Sequence, residues 1–185
     1  MTADIVTILK AAEAAARWHA GQRRKGAAGE PYINHPLEVA RLVAEAVDGN
    51  DASLIAAAFL HDAVEDQNIP LGLIAAMFGD DTAALVAEVT DDKSLPKAER
   101  KRLQVEKAPH QSPRAKILKL ADKTSNLRAM AESPPVDWPL ERRREYVGWA
   151  RSVVAGLGDV CPSLQAQFEE AAKKAEEALN APPAL

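Results

Sequence analysis

The chain has 185 residues, 47% of them hydrophobic and 27% charged, which is the balance of one folded globular domain rather than of a disordered segment. Its 23 Lys+Arg against 27 Asp+Glu leave a net charge of −4, which argues against a nucleic-acid or anionic-membrane partner. One cysteine, Cys161, excludes an internal disulfide framework and a thiolate metal cluster, and no apolar run approaches the ~18–20 residues of a membrane span, so a cytoplasmic protein is expected.

Alanine-rich segments of helical period, separated by Pro and Gly, dominate, and strand-like alternation is scarce, so the pattern predicts an all-α bundle of about eight to ten helices. A first helix is expected over 3–22, with Ile5, Ile8, Leu9, Ala12 and Ala16 on its buried stripe. The polar loop RRKGAAGEPYINH follows, and Pro36 suits the first turn of a second helix carrying Leu37, Ala40 and Val43. Gly49-Asn50 breaks it, and Asp51 or Ser53 can cap a third helix, LIAAAFLHDAVED, apolar nearly all round until His61 and therefore central. Pro70 opens a short helix ending at Phe78-Gly79, and another runs through Ala83, Leu85, Val86 and Val89. The stretch DDKSLPKAERKRLQVEK is highly charged, with Pro96 at a helix start, and Pro109 and Pro113 bracket a break before the apolar RAKILKLADKTSNLRAM. ESPPVDWP reads as a loop, helices over 140–157 and 163–180 close the chain, and APPAL reads as a frayed tail. Beyond Phe168 the last helix looks like an alanine-rich surface helix without chemistry of its own.

The anomaly is HDAVED, residues 61–66, at the end of that apolar third helix. Burying His61, Asp62, Glu65 and Asp66 without partners costs several kcal/mol, and the flanking segments are too apolar for a solvated surface end. In one continuous helix His61 and Glu65, and likewise Asp62 and Asp66, lie four apart and share a face, and a divalent cation would neutralise the group. His35, before Pro36, and Asp122, interrupting ILKLADK, are the matching oddities. Two imidazoles with two carboxylates suit Mn, Fe, Co or Zn as a working metal rather than a structural zinc. His19 reads as a structural hydrogen-bonder, His110 as a loop residue, and Trp18, Trp138 and Trp149 as core or interface.

The order H…HD…D resembles the HD superfamily of metal-dependent phosphohydrolases. The blocks WHAGQRRKGAAGEPYINHPLEVA, AAAFLHDAVED, FGDDTAALVAEVTDDK and KILKLADKTSNLRAM resemble the (p)ppGpp hydrolase domain of RelA/SpoT-type proteins, in particular the small stand-alone hydrolases of the metazoan SpoT-homologue type. The resemblance implies one HD domain over 1–185, with its core at 3–157 and a C-terminal helix at 163–180. It implies His35, His61, Asp62 and Asp122 as ligands of one Mn²⁺ per chain (other divalent ions would also suit), and Glu65 and Asp66 as the pair that positions and activates water. It further implies Arg24, Lys25, Tyr32 and Asn126 around the nucleotide and its phosphates, with Lys97, Arg142 and Tyr146 as additional ligand-facing positions. Where many long members carry Arg-Leu-His-Asn, this chain has Lys123-Thr124-Ser125-Asn126, a departure that bears on base selectivity if those residues line the base pocket.

The implied reaction is hydrolysis of (p)ppGpp to GDP or GTP and pyrophosphate. Arg23-Arg24-Lys25 and Lys97-Arg100-Lys101-Arg102 are the clusters that would draw in the anionic substrate. Two other readings stand beside it: a phosphatase for another nucleotide phosphorylated on the ribose 2′ or 3′ oxygen, such as NADPH, and a non-catalytic nucleotide-binding HD module. A small-molecule nucleotide is the expected partner, and self-association is left open.

Overall fold

The computed structural model describes residues 2–180. Among them the regular elements are ten α-helices and one 3₁₀ turn, and the strand-like pairings are two isolated bridges, Arg23 with Pro31 and Gly26 with Pro135. In chain order the helices are α1 (Thr2–Trp18), α2 (Asn34–Ala46), α3 (Ala52–Leu60), α4 (Ala63–Gln67), α5 (Leu71–Phe78), α6 (Asp80–Val89), α7 (Lys97–Lys107), α8 (Pro113–Glu132), α9 (Leu140–Leu157) and α10 (Pro162–Asn180). The all-α expectation holds at the upper end of the anticipated helix number.

α3 is the hub, as its composition requires. Every residue from Leu54 to Leu60 is buried, and α1, α2 and α6 pack around it. Asp51 is its cap: the side chain accepts from Leu54 N at 3.0 Å. The same carboxylate and Asp81 take both arms of the Arg114 guanidinium, which ties the starts of α3, α6 and α8 together.

Three expectations for the first three helices need correction. The buried face of α1 is Ala11, Ala14 and Ala15, while Ile5 and Leu9 are 58% and 62% exposed and Ala16 is exposed too. Alanines win because their missing side-chain bulk lets α1 lie close against α3. Leu37, placed on the apolar face of α2, is also largely exposed, whereas Ala40 and Val43 are buried. The helix LIAAAFLHDAVED is not continuous: it breaks after Leu60, and His61 and Asp62 form a turn before the short α4. There the His61 ring donates Nδ1–H to Ala58 O at 2.7 Å, the carbonyl that Asp62 N would use in an unbroken helix.

α10 is not a surface helix. Leu164, Phe168, Ala171, Ala172, Ala175 and Leu179 are buried, mainly against α8. The expected frayed tail, 181–185, lies outside the described residues. No helix among the described residues is long and apolar enough to cross a membrane.

Phe168→Ala removes the largest of these fully buried side chains and is expected to cost about 3–5 kcal/mol in urea unfolding. Leu9→Ala, at the exposed stripe, is expected to change stability by no more than about 0.5 kcal/mol in the same measurement.

Candidate metal centre and adjoining cleft

Three elements aim side chains at one buried point. The first turn of α2 supplies His35, the turn after α3 supplies His61 and Asp62, and the middle of α8 supplies Asp122. One ligand atom from each of His35, His61 and Asp62 lies within 4.8 Å of the others. Asp122 turns toward the imidazoles, with Oδ1 3.3 Å from His35 Nε2 and 3.8 Å from His61 Nε2. Asp62 Oδ2 stands 3.6 Å from His35 Nε2 and 3.1 Å from His61 Nε2.

The donor set fits a divalent cation on an observation beyond proximity. His61 Nε2 is buried without a hydrogen-bond partner, because its approach to Asp62 is close but misaligned. An orphaned imidazole nitrogen facing two carboxylates is the arrangement a cation completes.

Without the cation, charge is balanced by protons and neighbours. Burial alone would lower the His61 pKa, but the Asp62 and Asp122 carboxylates outweigh it and push the group up to about 9. Burial would raise the pKa of Asp122, yet Lys123 and the two imidazoles hold it well below the usual carboxylate range. Asp62 is likewise held low, with burial opposed chiefly by His61. His35 is pulled down by burial.

The carboxylates are gripped from outside. Tyr32 OH donates to Asp62 Oδ2 at 2.5 Å, Asn126 Nδ2 to Asp122 Oδ1 at 2.6 Å, and Lys123 Nζ to Asp122 Oδ2 at 2.9 Å. Burial and the Asp62 charge both raise the Tyr32 pKa, so its hydroxyl stays a donor. Its ring stacks on His19 at a centroid distance of 5.0 Å and meets His35 edge-on. Buried Lys123 sits 4.5 Å above the Trp149 ring, a cation–π seat for an ammonium taken out of water.

Glu65 and Asp66 follow on α4, where Asp66 N donates to Asp62 O at 2.8 Å and so keeps the helical spacing between those two aspartates across the break. Glu65 Oε1 accepts from Asp91 N at 2.6 Å, and Asp66 accepts from Gln22 Nε2 at 2.8 Å and from Lys93 Nζ at 3.2 Å. Burial raises the Glu65 pKa, and the nearby Asp91 and Asp62 charges add to it against the Asp91 N–H.

A cleft of about 730 Å³ opens from His35 and Asp66. Arg24, Lys25, Tyr32, Asn126 and Tyr146 line it. Arg24 Nη2 donates to Asn126 Oδ1 at 3.1 Å. Trp138 also lines it and carries Arg142 4.2 Å and Lys97 5.5 Å from its ring, so these two cations flank the cleft through an aromatic. Arg102 does not join them; it pairs with Glu99 and Glu106 on its own helix. Thr124 is buried and bonded to Leu120 O, so it cannot line a base pocket, and the Ser125 hydroxyl is engaged by His35 and Glu38.

One wall is a strap over 22–32, held by Arg24 N to Glu30 O at 2.9 Å and Tyr32 N to Gln22 O at 3.0 Å. It lies so close to the 133–135 segment that a Cβ on Gly26 would fall 2.1 Å from Ser133 O, and Ala28 N donates to Ser133 Oγ at 3.1 Å. Gln22, Lys93 and Asp91 went unmarked in the sequence, and Lys123 stands there only within the departure at 123–126; a lysine within an apolar run is the signal that could have marked its role here.

Helices that bring a histidine, a His-Asp pair and a distant aspartate together define an HD-type fold, and the HD domain family matches residues 11–147: the chain belongs to that family. Among its relatives, guanosine-3′,5′-bis(diphosphate) 3′-pyrophosphohydrolase MESH1 of Homo sapiens is 49% identical over 173 residues, covering 94% of each chain. The protein of the same name in Xenopus tropicalis is 50% identical over 91% of this chain and 94% of its own. A solved structure of a metazoan SpoT ortholog, described as hydrolysing ppGpp, superposes with a TM-score of 0.87 at 40% identity, covering 91% of this chain and 94% of the other.

Tyr32→Phe keeps the ring between His19 and His35 and removes a charge-assisted hydrogen bond. It is expected to destabilise the metal-free protein by about 1.5–3 kcal/mol in urea unfolding; an unchanged midpoint would show that the ring alone matters.

Proposed function

We propose that this chain is a metal-dependent guanosine-3′,5′-bis(diphosphate) 3′-pyrophosphohydrolase that acts as one HD domain over 1–185 in the cytoplasm. The observation that carries the reading is the meeting of His35, His61, Asp62 and Asp122 at the floor of a cleft whose rim bears Arg24, Lys25, Lys97 and Arg142, with a carboxylate pair alongside. The relatives' printed activity supports the same reading.

The four ligands would hold one divalent ion, Mn²⁺ in our reading, which supplies Lewis-acid polarisation of a phosphoryl oxygen and makes water easier to deprotonate. The chain's own residues do the rest. Arg24 and Lys25, with Asn126, receive the 3′-diphosphate next to the ligand cluster. Glu65, its pKa raised by burial and its Oε1 fixed by Asp91 N–H, accepts a proton from the attacking water. Asp66, pinned by Gln22 and Lys93, holds that water's second hydrogen. Water adds to the phosphorus bonded to the ribose 3′ oxygen; that P–O bond breaks, the 3′ oxygen takes a proton from solvent, and GDP with a free 3′-hydroxyl leaves beside pyrophosphate. Lys97 and Arg142, over Trp138, face the 5′-diphosphate, and Tyr146, from α9, closes that side by packing edge-on against Trp138.

Two measurements test this. Purified protein with MnCl₂ is expected to release pyrophosphate from ppGpp, and Glu65→Ala to lower kcat by about 10²–10⁴-fold; NADPH under the same conditions is the rival substrate, and faster turnover of it would displace ppGpp. Chelator-stripped protein is expected to gain about 2.7 kcal/mol of stability when Mn²⁺ is supplied at a hundred times its Kd. Asp122→Asn is expected to lose most of that increment.

A further inference from the structure

The two imidazoles of the ligand cluster are set by different partners. His61 donates Nδ1–H to a backbone carbonyl, Ala58 O, at 2.7 Å. His35 Nδ1 instead lies 2.8 Å from the hydroxyl of Ser125, a residue 2% exposed on α8. That hydroxyl has one hydrogen and two neighbours. Its other neighbour is Glu38 Oε2, at 2.7 Å, one turn beyond His35 on α2. The Glu38 carboxylate is engaged on its second oxygen by Arg128 Nη1 at 2.7 Å, and a carboxylate only accepts. The serine hydrogen therefore goes to Glu38, and the oxygen is left to accept from His35 Nδ1–H. This puts the imidazole lone pair on Nε2, facing Asp122 Oδ1 at 3.3 Å and Asp62 Oδ2 at 3.6 Å. A lone pair opposed by two carboxylates is unfavourable until a cation lies between them. Arg128 is itself steadied by Gln167 Oε1 at 2.8 Å, from α10, which lies outside the segment matched by the HD family.

We propose that Ser125 and Glu38 are positioning residues for His35: Glu38 orients the Ser125 hydroxyl, and the hydroxyl fixes the ring with Nε2 open to a divalent ion. The proposal rests on the metal reading of the cluster given above. A second layer of this kind governs ligand orientation and basicity at metal sites, and its loss typically lowers metal affinity. Ser125 thus acts through His35, from a place at the inner edge of the cleft.

The test uses the full chain, stripped with chelator, and Mn²⁺ titrated by calorimetry against wild type, Ser125→Ala, Glu38→Gln and the double variant. Ser125→Ala is expected to weaken Mn²⁺ binding about 10–100-fold. The double variant is expected to be no weaker than Ser125→Ala alone, because Glu38 acts only through the hydroxyl. In ¹⁵N-labelled, metal-free wild type, His35 is expected as the Nδ1–H tautomer, a readout that a merely structural role would not set and that needs no variant to fold. Unchanged affinity in Ser125→Ala, additive losses in the double variant, or an Nε2–H tautomer in wild type would each overturn the relay. Wild type that takes up no Mn²⁺ would overturn the metal reading and the relay with it, and is told apart from the other failures by the wild-type titration alone.

Discussion

Everything in this fold answers to the burden of keeping Asp62 and Asp122 ionised inside a helical bundle. Two unmatched carboxylates there would cost several kcal/mol each. They are matched by groups from separate parts of the chain: Tyr32 from the strap, His35 from α2, His61 from the turn after α3, and Lys123 and Asn126 from α8. Lys123 brings its own problem, a second buried charge, and Trp149 of α9 answers it with the face of an indole. The cluster is thus the knot that fixes how α2, α3, α8 and α9 meet, and the apolar packing of α3 and α10 supplies the rigidity around it.

What the sequence makes legible is the misfit between residue type and surroundings. His61, Asp62 and Asp122 stand out because they interrupt apolar helices, and His35 because it precedes a proline at a helix start. Ser125, Glu38 and Gln22 give no such signal; each is an ordinary residue for a helix or its flank, and its importance lies in a partner 44 to 90 positions away. The buried face of α1 misleads for a related reason. Hydrophobic size favours Ile5 and Leu9, but close helix approach selects Ala11, Ala14 and Ala15, and that selection belongs to the pair of helices rather than to either sequence. The same small-residue logic hides the burial of α10.

The net charge of −4 describes the whole chain and not the cleft. Arg24, Lys25, Lys97 and Arg142 gather on one side, and the Lys97 pKa is lowered by partial burial and by Arg142, Lys101, Lys25 and Arg100 around it. Such crowding of cations is unfavourable in the empty protein and is relieved by an anion. Glu38 and Asp66 line the cleft together with Arg24 and Lys25, so carboxylates and cations face the same space.

The near-contact at Gly26 shapes one wall of the cleft. The strap is stitched to the 133–135 segment there, with no room for even a methyl group between them, so the two stretches form one continuous surface. Any side chain at position 26 would have to push these two stretches apart and reshape that wall.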